Sequence, residues 1–185
     1  MSANVNNAFY FLVNTLLQLY LMVMILRILL QLVRADFYNP VCQVIWKVTQ
    51  PLVDLPGRVL PRYRNIDVAG ILVTYVCTVI YIYVIFAILG LGVPLIQALW
   101  FAVLKMAWLT LQIYTFSLLI QAVLSWVGPG YNNPAGSILW SLNEPLLRPV
   151  RRVIPPISGL DLSPLVVILL LQVLARLIGV PGILR

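Results

Sequence analysis

Two stretches decide the fold: NPVCQVIWKVTQPLVDLPGR at residues 39–58 and NPAGSILWSLNEPLLRPVRR at residues 133–152. Laid over each other at a fixed offset of 94 residues, they align Asn39-Pro40 with Asn133-Pro134, Trp46 with Trp140, Pro51-Leu52 with Pro145-Leu146, and Arg58 with Arg152. The register continues outside them, pairing Gln18 with Gln112, Leu30 with Leu124, Pro61 with Pro155 and Asp67 with Asp161. The chain is two copies of one unit, which we bound at residues 1–92 and 93–185.

The sequence around these stretches is apolar. Of 185 residues 62% are hydrophobic and 9% charged, against roughly 45–50% and 25% in soluble domains. A globular chain of this size buries about 70% of its unfolded surface and needs polar residues for the rest. Neither a soluble enzyme nor a disordered chain is expected, and the solvent that accepts such a surface is a lipid bilayer.

Four apolar runs mark the crossings: Ala8 to Val33, Val68 to Leu89, Val93 to Val127, and Leu162 to about Val180. About 20 residues at 1.5 Å rise cross the roughly 30 Å hydrocarbon layer. The third run is too long for one crossing. Either Lys105 divides it into an interfacial helix over Pro94 to Leu104 and a span over Met106 to Val127, or it forms one tilted or kinked helix. The first run lacks a preceding positive charge and exceeds a signal-peptide core, so it is expected to remain as a helix. The fold class is therefore all-α: an integral membrane protein with two parallel repeats of span, cytoplasmic amphipathic helix and span. Parallel repeats imply a pseudo-two-fold axis along the membrane normal, whereas inverted repeats mark many alternating-access transporters.

The basic residues set the orientation. Net charge is +7, and eight of the twelve cations lie in two connections: Arg34, Lys47, Arg58, Arg62 and Arg64 in one, Arg148, Arg151 and Arg152 in the other. The positive-inside rule puts both connections in the cytoplasm and both termini outside.

Each connection reads as an amphipathic helix with its own start signal. Asn39 and Asn133 suit the N-cap, and Pro40 and Pro134 the following position, where no N–H is needed. Over residues 40–54, Val41, Val44, Ile45, Val48 and Leu52 oppose Gln43, Lys47, Gln50 and Asp54. Over 134–148, Ile138, Leu139, Leu142 and Leu146 oppose Ser137, Ser141, Glu144 and Arg148. Such helices are too short to span and are expected on the leaflet or under the bundle, with Trp46 and Trp140 at headgroup level. Pro51 and Pro145 are expected to interrupt them, with Pro56 and Pro149 keeping the chain extended beyond. Asp67 and Asp161 are placed to cap the next spans.

Chemistry-bearing motifs are scarce. Histidine is absent, which removes axial-His haem sites, His-liganded zinc and Ser-His triads; Ser125, Ser158 and Ser163 have no base to activate them. We expect no enzyme, no cofactor and no metal. Cys42 and Cys77 do not form a secreted disulfide framework. Arg27, six residues from Val33, is expected to snorkel to the interface, as is Arg176. The basic residues Arg58, Arg62, Arg64, Arg148, Arg151 and Arg152 serve topology first, then contact with anionic lipids or with a membrane-protein partner or second copy. No nucleic acid is expected, because no globular basic domain exists to present to it.

The pattern Asn-Pro, ten residues, Pro, then Arg-x-x-Pro and an Asp opening the next apolar run occurs twice. Its second occurrence ends in Arg151-Arg152-Val153-Ile154-Pro155-Pro156-Ile157-Ser158-Gly159-Leu160-Asp161-Leu162-Ser163-Pro164. This resembles the YggT (YlmG-like) family of small bacterial and plastid membrane proteins. The first copy departs from it, with Arg62-Tyr63-Arg64-Asn65-Ile66 where the family favours Pro-x-x-Gly-Gly. The resemblance implies an inner-membrane location and a part in hyperosmotic-stress tolerance, with division, nucleoid organisation or cytochrome assembly associated with relatives. Against this stands a channel or osmolyte pathway built from the parallel repeats.

Overall fold

Apolar runs longer than a globular core needs, broken only where proline, glycine or a capping side chain intervenes, give six helices among the described residues. The computed structural model describes residues 2–58, 67–127, 134–154 and 161–184. The helices are α1 (Ser2–Leu32), α2 (Pro40–Gly57), α3 (Val68–Ile88), α4 (Leu95–Val127), α5 (Pro134–Val153) and α6 (Ser163–Leu177), followed by a 3-10 turn at Gly182–Leu184. Helices α1, α2 and α3 pack on one another as α4, α5 and α6 do, and α4 joins the units by packing on α1 and α3.

Helices α1, α3 and α4 are long and apolar enough to cross a membrane. Only 17%, 33% and 22% of their most apolar 18-residue stretches are buried within the protein. The rest is exposed or half-buried, and lipid is the solvent that removes the penalty for the exposed apolar part. The chain is a multi-pass membrane protein. Inside, Leu21, Ile25, Ile82, Ile85, Leu109 and Ile113 form the main core. Leu118, Leu147, Val167 and Leu171 form a second one between α4, α5 and α6.

The structure decides between the two readings of the third run and corrects three sequence expectations. Lys105 does not divide the third run: α4 is continuous, and no interfacial helix precedes it. The Lys105 ammonium has internal partners and no need to reach water, and no proline or glycine lies between Leu95 and Val127. The last run is helical only to Leu177, because Gly179 and Pro181 break it; its 15 residues rise about 22 Å. Pro51, Pro56, Pro145 and Pro149 lie inside α2 and α5, which run on to Gly57 and Val153. Pro51, Pro145 and Pro149 are exposed, where water can satisfy the carbonyls that proline leaves unpaired. Finally, the apolar residues of α2 divide between two faces: Cys42, Ile45 and Val53 are buried, while Val41, Val44, Val48, Leu52 and Leu55 form an exposed stripe.

Local signals explain the ends. Asn39 Oδ1 accepts the Val41 N–H at 2.9 Å and starts α2. Helix α1 ends with the Ala35 N–H on Leu30 O and the Arg34 N–H on Gln31 O, the Schellman pattern, which places Arg34 in the left-handed region at φ 54°.

Candidate functional site

The polar interior begins where α1 meets α2 and α3. Arg27 follows the buried core residues Leu21, Met24 and Ile25 along α1, yet it does not snorkel: its side chain is 2% exposed. Its Nη1 donates to Thr49 Oγ1 at 3.0 Å and its Nη2 to Asp67 Oδ2 at 3.2 Å. The guanidinium lies 3.7 Å from the centre of the Trp46 ring, whose other neighbour is Phe37, edge-on at 4.8 Å. Trp46 is therefore half-buried against the bundle, whereas Trp140 is exposed.

Asp67 has two tasks. Its Oδ1 accepts the Gly70 N–H at 3.0 Å and caps α3, while Oδ2 holds Arg27. Gly70 makes room for this. A Cβ there would stand 2.9 Å from Asp67 Oδ2 and 3.1 Å from its Cγ. Gly→Ala in a helix ordinarily stabilises by about 1 kcal/mol. Here we expect Gly70→Ala to lower stability by about 1–3 kcal/mol instead, by displacing the carboxylate from Arg27. Equilibrium unfolding in detergent measures this, and a stabilised variant would refute the shared role of Asp67.

The second unit holds an uncharged version of the same node. At the 94-residue offset Arg27 becomes Gln121 and Thr49 becomes Asn143. Asn143 is fully buried, donating from Nδ2 to Gln121 Oε1 at 2.7 Å and accepting from Ser117 Oγ at 2.6 Å. Asp161, the counterpart of Asp67, faces outward: Oδ1 accepts the Ser163 N–H at 2.9 Å and Oδ2 accepts Arg151 Nε at 2.8 Å. Burial alone would raise its carboxyl, but the Ser163 N–H and the Arg151 guanidinium outweigh that and hold it below the usual carboxylate range. Arg151 also donates to Glu144 Oε2 at 2.9 Å. Two carboxylates thus engage it, and the cations of α5 left facing outward are Arg148 and Arg152.

Asn39 joins the two units. Besides capping α2 it donates from Nδ2 to Pro134 O at 2.7 Å and to Ser137 Oγ at 3.1 Å, so the starts of α2 and α5 meet. Leu30, Cys42, Ile45 and Ile138 pack there. Pro40 and Pro134 open the two helices, Arg58 follows α2 and is exposed, and Arg62, Arg64 and Asn133 lie outside the described residues. Arg176 is exposed near the end of α6. Among the described residues no group of His, Cys, Asp and Glu could hold a metal ion.

Sequence reasoning missed the Arg27–Asp67 pair. A signal was present, because positions 27 and 121, and 49 and 143, are polar in both copies within or beside apolar helices. A polar residue kept at one depth in both halves marks an interior contact.

Taken together, these features define a class: a multi-pass, all-helical membrane protein made of a duplicated unit whose amphipathic helix docks on a buried polar node. The CCB3/YggT family model matches the chain twice, at residues 6–89 and 96–181, and the chain belongs to that family. It is 40% identical over 169 residues to the YggT protein of Escherichia coli K12, covering 91% of this chain and 87% of that one. A Pseudomonas aeruginosa protein is 37% identical over 175 residues, 94% of this chain and 89% of its own length. The ycf19 protein of Guillardia theta is 36% identical over 76 residues, 40% of this chain but 81% of its own. No solved structure matches.

Proposed function

We propose that the protein is a non-enzymatic scaffold or assembly factor of the bacterial inner membrane, acting through α2 and α5 on the cytoplasmic leaflet. Tolerance of osmotic stress lies downstream, as the family resemblance implies. The observation that carries this reading is the outward side of these two helices. Helix α2 presents the apolar stripe Val41, Val44, Val48, Leu52 and Leu55, suited to the acyl boundary. Helix α5 presents Trp140, Arg148 and Arg152, suited to anionic headgroups.

Orientation follows from charge. Arg34, Lys47, Arg58, Arg148, Arg151 and Arg152 gather at the α2 and α5 end, so this end faces the cytoplasm and the termini face the periplasm. Helices α1, α3 and α4 cross, and α6 with the segment after it makes the fourth crossing. The competing channel reading has less support, because Leu21, Met24, Ile25, Ile82, Ile85 and Leu109 fill the interior.

The test is reconstitution of the pure protein in vesicles and in nanodiscs of mixed anionic and zwitterionic lipid. Vesicles should show no selective ion flux. In nanodiscs Arg148→Ala/Arg152→Ala should reduce the enrichment of anionic lipid, by up to about 2 kcal/mol at roughly 1 kcal/mol per cation. Robust selective flux, or unchanged lipid enrichment in the double variant, overturns the reading.

A further inference from the structure

A second polar feature lies at the end of the bundle remote from α2 and α5, and the scaffold reading leaves it unused. Lys105 is fully buried in α4. Its Nζ donates to Gln18 Oε1 at 2.9 Å and to the carbonyl oxygen of Leu184, with the rings of Trp108 and Tyr81 centred 4.7 and 5.2 Å away. All of these partners are uncharged. Among the described residues the acidic side chains, Asp36, Asp54, Asp67, Glu144 and Asp161, all stand elsewhere, in or beside α2 and α5 or at the starts of α3 and α6. A buried ammonium is normally matched by an anion, because neutral acceptors recover only part of its lost hydration.

A route leads to it. Asn6, Tyr10, Asn14 and Gln18 follow one another at intervals of four, on one side of α1. They pass from exposed Asn6 to half-buried Tyr10, Asn14 and Gln18. A cavity of about 380 Å³ opens at the top, lined by Asn6, Asn7, Tyr10, Ile88, Leu89 and Ile183. Asn14 Oδ1 accepts from the Tyr81 hydroxyl at 2.7 Å, which holds that ring beside Lys105. Below Lys105 lie the buried Leu21, Met24, Ile25 and Ile113, and the buried Thr74 and Thr78 hydroxyls donate to the carbonyls of their own helix.

Between cavity and lysine lies the strap Ile178–Leu184, which is not part of a long helix. Tyr10 Oη donates to Ile183 O at 2.7 Å, Lys105 grips Leu184 O, and Val180 and Leu184 are buried. Of the two acceptors on Lys105, Gln18 is fixed within α1, whereas the Leu184 carbonyl sits on a three-residue turn.

We propose that Lys105 is the floor of a site for a small monovalent anion, entered past the Asn6–Gln18 side of α1 and closed by the Ile178–Leu184 strap. The anion takes the place of the Leu184 carbonyl on the ammonium, while Gln18 and the two rings stay. The ligand class is a halide or a small carboxylate such as formate, since the position that it takes is that of one carbonyl oxygen.

Iodide titration of tryptophan emission on the full-length protein in detergent tests this, because Trp108 borders the site and iodide quenches on contact. A saturable quenching component, competed by chloride or formate, is expected. It should vanish in Trp108→Phe and in Lys105→Met and persist in Lys105→Arg. Tyr10→Phe leaves Lys105 in place and loosens the strap, so half-saturating iodide should fall about two- to tenfold, the value of one hydrogen bond. If Lys105→Met fails to fold, the Tyr10→Phe and Trp108→Phe results still decide. Strictly linear quenching, or saturation that survives Trp108→Phe, overturns the site. An unchanged half-saturation in Tyr10→Phe overturns the strap as its closure.

Discussion

Asp67→Ala should lower unfolding free energy by about 3–5 kcal/mol, the usual effect of removing one partner from a buried ion pair. The cost arises less from the lost attraction than from what remains: the Arg27 guanidinium, 2% exposed, with its carboxylate gone. Two further variants separate the causes. Asp67→Asn keeps an oxygen for the Gly70 N–H, so it isolates the ion pair from the cap, which is itself worth about 1 kcal/mol. Arg27→Gln/Asp67→Asn removes both charges and installs at 27 the residue that the second unit carries at 121. It should recover most of the loss, since replacing a whole buried pair is often nearly neutral. Unfolding of purified protein in mixed micelles, followed by tryptophan emission, gives the numbers. A single variant losing under about 1 kcal/mol, or a double variant no better than Asp67→Ala, would show that the pair does not govern the docking of α2.

The second unit should respond to Asn143→Ala, by about 2–6 kcal/mol. The substitution strips the donor from Gln121 Oε1 and leaves a void at a fully buried position; each is worth about 1–3 kcal/mol. Ser117 loses less, because its hydroxyl also has the Tyr114 carbonyl at 2.9 Å. Gln121→Leu/Asn143→Leu, which removes both polar partners and refills the space, should restore stability to within about 1 kcal/mol of the parent. The same unfolding assay decides. Equal losses in the single and double variants would mean that shape, not the Gln121–Asn143 hydrogen bond, holds α5 in place.

The two nodes solve one problem by different means. Each unit must fasten a short amphipathic helix to a long apolar one, at a depth where an unpaired polar group is costly. The first unit uses charge, and its carboxylate comes from the start of the next helix. The second uses amides and a hydroxyl, which releases Asp161 to bind Arg151 outside. This difference changes the reading of the basic stretches, because Arg151 is engaged with Glu144 and Asp161, while Arg148 and Arg152 face outward.

Much of this was legible in the amino-acid order. The repeat, the apolar runs, and the capping roles of Asn39 and Asp67 rest on interactions within about four residues or on run length, and these survive whatever the rest of the chain does. Asn-Pro at 39–40 was enough to start α2. The continuity of α4 through Lys105 was not legible, since a lysine breaks an apolar run only when it lacks an internal partner, and its partners lie 87 and 79 residues away. The same holds for helices that run through Pro51 and Pro145, where the outcome depends on which side faces solvent.

By itself, then, the sequence determined that this is a duplicated, helical membrane protein with two capped amphipathic segments. The tertiary structure alone decided that Arg27 meets Asp67 across 40 residues, that Asn39 reaches Pro134 across 95, and that Lys105 closes on Leu184. The division has a physical cause. Helix formation and membrane crossing are set by local hydrogen bonding and summed hydrophobicity. The partner of a buried charge is set by helix packing, which brings together side chains that no periodicity in the chain relates.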